Sequence, residues 1–418
     1  MSGSIKLKHA SGNGVIISAP STNPSSDKTI TLPSDGSGTF ATKDSANSLQ
    51  NVTGINGGQL GNRNLIINGA MLVSQRGTSF SGTAQRYTLD RMQMNTAGND
   101  EIAQTEQATV TSGGAYTSGF RKCLKIINGN QTSGAGATDV VHLKMVLEAQ
   151  DIANSGWNYT SSSSFVTLSF WIKSSVAQDF PITLRSEDGT RQVYNMTTGS
   201  LSADTWTKIT KTIAGNSNLQ FDDNNAAGLT LFINAFVGTD YTTAGLAQNA
   251  WSAWSGAKQG DNMTSTWYTT NDATLEITGL QLEVGSFSSD FEFRSFGQEL
   301  ALCQRYCYEH LFPEANQFAS IMLGCYYNSS RVYGSFKFPV SMRTAPTMVC
   351  TDSADAFNVY RDGGVDFVNE FHIDSANNVG CNGAEILNDT DASGTSGHAA
   401  FVRRGANSTT VFRFEAEL

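Results

Sequence analysis

Apolar and polar residues alternate with period two along most of this chain. Val141, Leu143, Met145 and Leu147 alternate with His142, Lys144, Val146 and Glu148. Val166, Leu168, Phe170 and Ile172 repeat the pattern, as do Leu229, Leu231, Ile233, Ala235 and Val237. Side chains on a strand point to opposite faces in turn, so this alternation predicts strands with one buried face. Their length and the Gly/Ser/Asn loops between them predict an antiparallel two-sheet sandwich, a jelly roll, over residues 63–296, with a short helical turn in 147–156. In 274–284, Leu275 and Ile277 have one parity and Leu280, Leu282 and Val284 the other. The phase changes at Gly279, which predicts a bulge there. Ser295 and Gln298 then form an S-x-x-Q capping box, opening a linking helix over 297–312 that Pro313 ends.

Strand patterns resume after the helix and run to the last residue. They include 320–327, 331–340, 365–373 and 409–418, with Val365, Phe367, Phe371 and Ile373 expected on one face. Residues 313–418 therefore read as a second, smaller β-sandwich at the tip. At the other end, 1–48 holds short strands with hairpin signals at Asn13–Gly14 and Asp35–Gly36. A segment that small cannot bury a core by itself, so neighbouring chains or a docking partner must order it. Residues 49–62, rich in Gly and Asn, read as a linker.

Composition narrows the class. Charged residues make up 15% of the 418 positions, against roughly 25% in an average soluble domain. Ser, Thr, Asn and Gly must therefore supply the polar surface, as in β-rich extracellular or virion proteins. The net charge of −10 and the lack of a basic stripe argue against a nucleic-acid partner. No apolar run is long enough for a membrane-spanning helix, and the first 30 residues lack the apolar core of a secretory signal. The cysteines, at 123, 303, 307, 325, 350 and 381, are too scattered for a disulfide framework and read as reduced thiols.

Two stretches carry a family resemblance. The run GLQLEVG (279–285), followed by FEFRSFGQELALCQRYCYEH (291–310), resembles the segment of bacteriophage tail fibres where a jelly roll ends and a helix leads to the tip. NLIINGAMLVSQRG (64–77) with YTLDRM (87–92) resembles the opening of the same domain. ITLPSDGSGTFATKDS (30–45) is similar to β segments near fibre bases, and FPVSMRTAPTMV (338–349) and RFEAEL (413–418) to fibre tips. The resemblance implies a homotrimeric fibre or receptor-binding protein of the virion, assembled in the host cytoplasm. Its N-terminal segment would attach to tail or adaptor proteins, its jelly roll would be carbohydrate-binding-module-like, and its tip would meet a host polysaccharide or outer-membrane receptor. A polysaccharide-degrading tailspike and a purely structural fibre are the alternatives.

Candidate site residues follow from chemistry. An indole stacks on the apolar face of a sugar ring, and Trp251 and Trp254 lie in a polar loop with Trp267 and Tyr268 just beyond. Packing between subunits is the competing use of that pair. In the tip, Tyr326, Tyr327, Arg331 and Tyr360 suit adaptable polar recognition. Leu300, Cys303, Cys307 and His310 have helical spacing, and a face packed on the next chain or domain is expected rather than a thiolate/imidazole metal site. No cofactor is expected, although jelly rolls of this kind are compatible with a structural calcium ion. The loops at Asp222–Asp223 and Asp389–Gly394 are the oxygen-rich places for one, but Ala400 occupies the twelfth position, where an EF-hand needs Glu. No nucleophile elbow, metalloprotease helix or P-loop occurs, and no long β-helix repeat, so enzymatic activity is not expected.

Overall fold

The alternating strands assemble into facing antiparallel sheets, and the protein is mostly β with a few short helices. The computed structural model describes residues 4–8, 14–18, 42–43, 49–50, 61–82, 84–311, 319–374, 378–406 and 410–418. The chain divides into two units, Met1–Val52 and Thr53–Leu418. In the first, Ser4–Lys8 pairs antiparallel with Gly14–Ser18, and Thr42–Lys43 with Leu49–Gln50. The expected strand at 28–33 and the Asp35–Gly36 turn lie outside the described residues.

In the second unit, a seven-stranded sheet faces a six-stranded one. The first runs, in spatial order, Trp251–Ala253, Gln192–Thr197, Pro181–Ser186, Ala227–Val237, Val140–Glu148, Gln93–Ala97 and Gln85–Tyr87. The second runs Thr207–Ala214, Phe165–Ser174, Thr274–Val284, Lys122–Ile127, Gln104–Thr109 and Ser79–Phe80. Inward residues of the two sheets share one core, with Leu143, Leu184, Leu231 and Ile233 from the first and Leu168, Phe170, Ile277 and Leu282 from the second. Burying each such side chain contributes about 1.5–3 kcal/mol. The apolar parity read from the sequence is thus the interior of the sandwich. The bulge falls where the phase changes. Ser169 pairs with Gln281 and Trp171 with Thr278, leaving Gly279 and Leu280 against Phe170. Gly279 has φ +67°, and a Cβ there would lie 2.6 Å from the Phe120 ring, so the position favours glycine twice over.

The capping box is present at Ser295 and Gln298, but the helix spans only Phe296–Gln304. Cys307–Leu311, expected within a helix over 297–312, is a strand paired with Phe412–Glu415. Pro313 lies outside the described residues, and the helix has ended well before it. The sequence reading missed this because a 3-4-3 spacing continues across the turn at 305–306. In the structure Cys303 is on the helix and Cys307 on the strand, both fully buried, while the His310 ring packs edge-on to Phe336 at 4.6 Å. These four residues therefore share no helical face.

The C-terminal β region contains a three-stranded sheet, centred on Phe412–Glu415, and an eight-stranded sheet. Its core gathers Val332, Phe357, Val359, Phe371, Ile386, Val402, Phe412 and Phe414. Val365 and Phe367, expected on the face of Phe371 and Ile373, are instead 37% and 53% exposed. Gly364–Val368 ends before Phe371, and the break at 369–370 resets the phase. This region is locked to the sandwich by buried polar contacts. Arg76 bonds to Glu415 and Glu417, each at 3.1 Å. Arg91 pairs with Glu417 and stacks on Tyr306, with its guanidinium 3.5 Å from the ring centre. Gln75 donates to the Cys307 carbonyl at 2.6 Å, and Arg305 to the fully buried Glu148 at 2.7 Å.

Candidate functional site

The outward face of the seven-stranded sheet is built from the polar half of the alternation. Cross-strand register places its side chains in rows. One row is Val146, Thr230, Arg185 and Val193, and the next is Gln93, Lys144, Phe232, Thr183 and Asn195. A third holds Asn95, His142 and Asn234. Neighbours directly across a sheet lie within contact range, so the rows act as continuous strips.

An aromatic and cationic series crosses these strips. The Arg185 guanidinium lies 5.3 Å from the Trp254 ring centre and 5.1 Å from that of Phe232. Phe232 meets His142 edge-on at 5.1 Å, and the Nε2 of His142 is 3.1 Å from the Asn95 amide nitrogen. Arg191 also approaches Trp254, at 5.9 Å. Glu187 receives Arg185 at 2.8 Å and Arg191 at 3.1 Å, and the Thr230 hydroxyl as well. The segment after Val237 folds back over one end, where the Gln259 carbonyl accepts from Thr183 and Asn234.

The polar atoms beneath are not all satisfied. Gln93 Oε1, Asn95 Oδ1, His142 Nδ1, Asn195 Nδ2 and Asn234 Oδ1 are buried with no hydrogen-bond partner among the described residues. A buried polar group without a partner costs about 1–3 kcal/mol, so such a cluster calls for small bridging groups such as buried water. The cluster mixes donors with acceptors. Because the Asn95 amide donates to Nε2, the proton of His142 sits on Nδ1. Hydroxyl groups, which donate and accept equally, complement that mixture.

Burial, with Lys144 and Arg185 beside it, lowers the His142 pKa to about 3, so the imidazole is neutral in the folded chain. Unfolded, it would titrate near its ordinary 6.5. Between those values the unfolded state binds a proton that the folded state does not, so stability falls as pH drops through that window. His142→Gln is expected to remove up to about 1.4 kcal/mol per pH unit from that slope between pH 6 and 4. Urea unfolding across that range checks it, and an unchanged slope would place His142 in water.

The structure separates the residues that the sequence grouped. Trp254 reaches the outer face, half-buried over Arg185 and Arg191. Trp251 points inward. It packs edge-on against Tyr194 at 5.2 Å and donates from its indole to the Ala214 carbonyl of the other sheet at 2.7 Å, plugging the open edge of the sandwich. Trp267 and Tyr268, expected at a ligand, are core residues at 0% and 1% exposure. Their short helix, Thr266–Thr269, turns both rings inward, and Tyr268 stacks on Phe236 at 4.2 Å.

In the C-terminal β region, Tyr326 is likewise a core residue, with its hydroxyl on Asp366 at 2.9 Å. Tyr327 is 68% exposed, Arg331 pairs with Asp389 at 3.1 Å, and Tyr360 lies under Arg403 at 4.9 Å. Tyr360 continues a row with Val365, Phe401 and the 73%-exposed Leu323 on the outer face of the eight-stranded sheet. Arg185, Phe232, Lys144 and His142 were not singled out from the sequence. Their signal was present as the polar phase of strands whose apolar phase had been read.

The acidic loops make contacts within the chain. Asp389 faces Arg331, Asp391 accepts from Asn369 and Asn388, and Asp223 accepts from Asn154.

No family model matches the sequence, and no curated protein does either. Among solved structures, the enzymatically active domain of tailspike protein 4 from bacteriophage CBA120 is similar over 53% of this chain, with a TM-score of 0.28 and 8% identity. The chain spans only 21% of that domain. A putative sugar-binding protein from Bacteroides thetaiotaomicron matches over 53% of this chain and 99% of its own, with a TM-score of 0.27 and 11% identity. The CBM22-1 xylan-binding domain of Paenibacillus barcinonensis Xyn10C matches over 54% and 96%, with a TM-score of 0.26 and 10% identity. The chain is thus similar in structure to carbohydrate-binding modules and to a tailspike domain, at identities that leave its function to be argued from its own residues.

Proposed function

We propose that this chain is a phage tail-fibre protein that holds a host-surface glycan without cutting it. The observation that carries the reading is the Trp254 ring, half-buried over Arg185 and Arg191 on the outer sheet face, with rows of polar side chains beside it. An aromatic surface beside mixed donors and acceptors suits a sugar, which has apolar ring faces and hydroxyl edges. The motifs shared with phage fibres support the virion setting. In that setting the N-terminal segment attaches to the tail, three chains associate, and repeated weak contacts sum to firm adsorption. The exposed row of Leu323, Phe401, Tyr360 and Val365 gives the tip a surface for protein contact.

Retention without cleavage is favoured by the charge inventory of the face. Most glycosidases need two carboxylates at a set separation. Glu187, beside the series, is held by two arginines and a threonine, and Glu148, in the strand phase of Lys144, by Arg305 and Tyr306. The test is to incubate the protein with isolated surface polysaccharide of the host and measure both retention and chain length. Retention with unchanged length is expected. Shortened chains would identify a depolymerase, and no retention would leave a purely structural fibre. Light scattering should give about three times the 44.8 kDa chain mass.

A further inference from the structure

The face described above is cationic on a chain whose net charge is −10. Arg185 and Lys144 lie in the strips with Arg191 beside them, Glu187 is bonded to the two arginines, and Glu148, in the phase of Lys144, is taken up by Arg305. Lys144 stands next to Phe232 in its row and has no hydrogen-bond or ion-pair partner among the described residues. Burial and Arg185 lower its pKa, Glu187 raises it through space, and the further cation Arg91 is paired with Glu417. A half-buried ammonium near a guanidinium, with its nearest carboxylate already bonded to two arginines, is left with charge that an incoming anion neutralises.

We infer that the glycan taken by this face is acidic, with a carboxylate of a uronic or sialic-acid-type sugar seated between Lys144 and Arg185. This rests on the glycan reading above and adds its charge. The geometry assigns the roles. Trp254 supplies the apolar platform for ring faces. Lys144 and the guanidinium of Arg185, of which only Nε and Nη2 bond to Glu187, meet the carboxylate. Lysine serves as a point charge here and arginine as a fork, so the two are not interchangeable. The acidic remainder of the protein would repel such a polymer elsewhere, which confines binding to this face.

The experiment uses the full chain and immobilised polygalacturonate, hyaluronate and polysialate, each beside its carboxyl-reduced form. At least one acidic polymer should be retained ten-fold or more tightly than its reduced form at low salt, with retention falling as salt rises. Lys144→Gln should abolish that preference and flatten the salt dependence, and Lys144→Arg should restore part of it. Thermal unfolding of each variant shows that the fold is kept. Equal retention of an acidic polymer and its reduced form, or retention indifferent to salt, overturns the acidic assignment and leaves the glycan reading standing. Absence of retention on every polymer, together with failure on host polysaccharide, overturns both.

Discussion

Arg91→Ala is expected to destabilise the Thr53–Leu418 unit by about 3–5 kcal/mol, because it takes from a buried carboxylate one of its two cations and removes a buried stack on Tyr306. Arg91 is 3% exposed and pairs with Glu417, donates to the Val146 carbonyl and lies flat on Tyr306. Removing it leaves Glu417 with Arg76 alone, in a site whose side chain is 7% exposed. Calorimetry should show a midpoint lower by on the order of 10 °C. It should also show whether the C-terminal sheets now melt separately from the sandwich. Arg91→Ala combined with Glu417→Ala should cost less than the sum of the two single changes, since the carboxylate that lost a cation is gone. A loss under about 1 kcal/mol for Arg91→Ala would mean that water reaches the pair and that the junction is held by packing.

The second large effect concerns two tryptophans that the sequence placed together. Trp267→Ala should cost about 3–5 kcal/mol, as expected for a large ring removed from a closed core. Its indole also donates to the Thr274 carbonyl at 3.0 Å, and its backbone N–H to Gln178 at 2.9 Å, so the loss extends to local order. Trp254→Ala should leave the melting midpoint within a degree or two, because the ring is half-buried on the surface, over two arginine side chains. Its effect belongs to binding. Retention on polysaccharide should weaken ten-fold or more, equivalent to about 1.4 kcal/mol or more of lost stacking. A Trp254→Ala protein that binds normally would move the glycan site off this face, and the exposed tip row would become the next place to look.

The motifs that carried the family resemblance turn out to lie largely at the junction. The 64–77 run supplies Gln75 and Arg76, the 87–92 run Asp90 and Arg91, the 291–310 run Arg305 and Tyr306, and the last six residues Glu415 and Glu417. They specify how the sandwich receives the C-terminal sheets. None of them belongs to the proposed glycan face. A resemblance on such residues therefore says more about architecture than about the ligand.

What the sequence determined alone was whatever depends on local periodicity. The strands of the sandwich, their buried parity, the bulge at Gly279 and the cap at Ser295 all follow from residues within a few positions of one another. Tertiary structure decided whatever depends on which strands become neighbours. Cys307–Leu311 extends a helical spacing yet is a strand, because the last residues of the chain offer it a ladder of backbone partners that a helix would forgo. Trp267 and Trp254 sit in similar polar surroundings in the sequence, and only the turn of a four-residue helix sends the first inward. Lys144, Phe232 and Arg185 come from three strands far apart in sequence. Their meeting is a product of sheet order and register, which alternation restricts to a face but cannot assign to a neighbour.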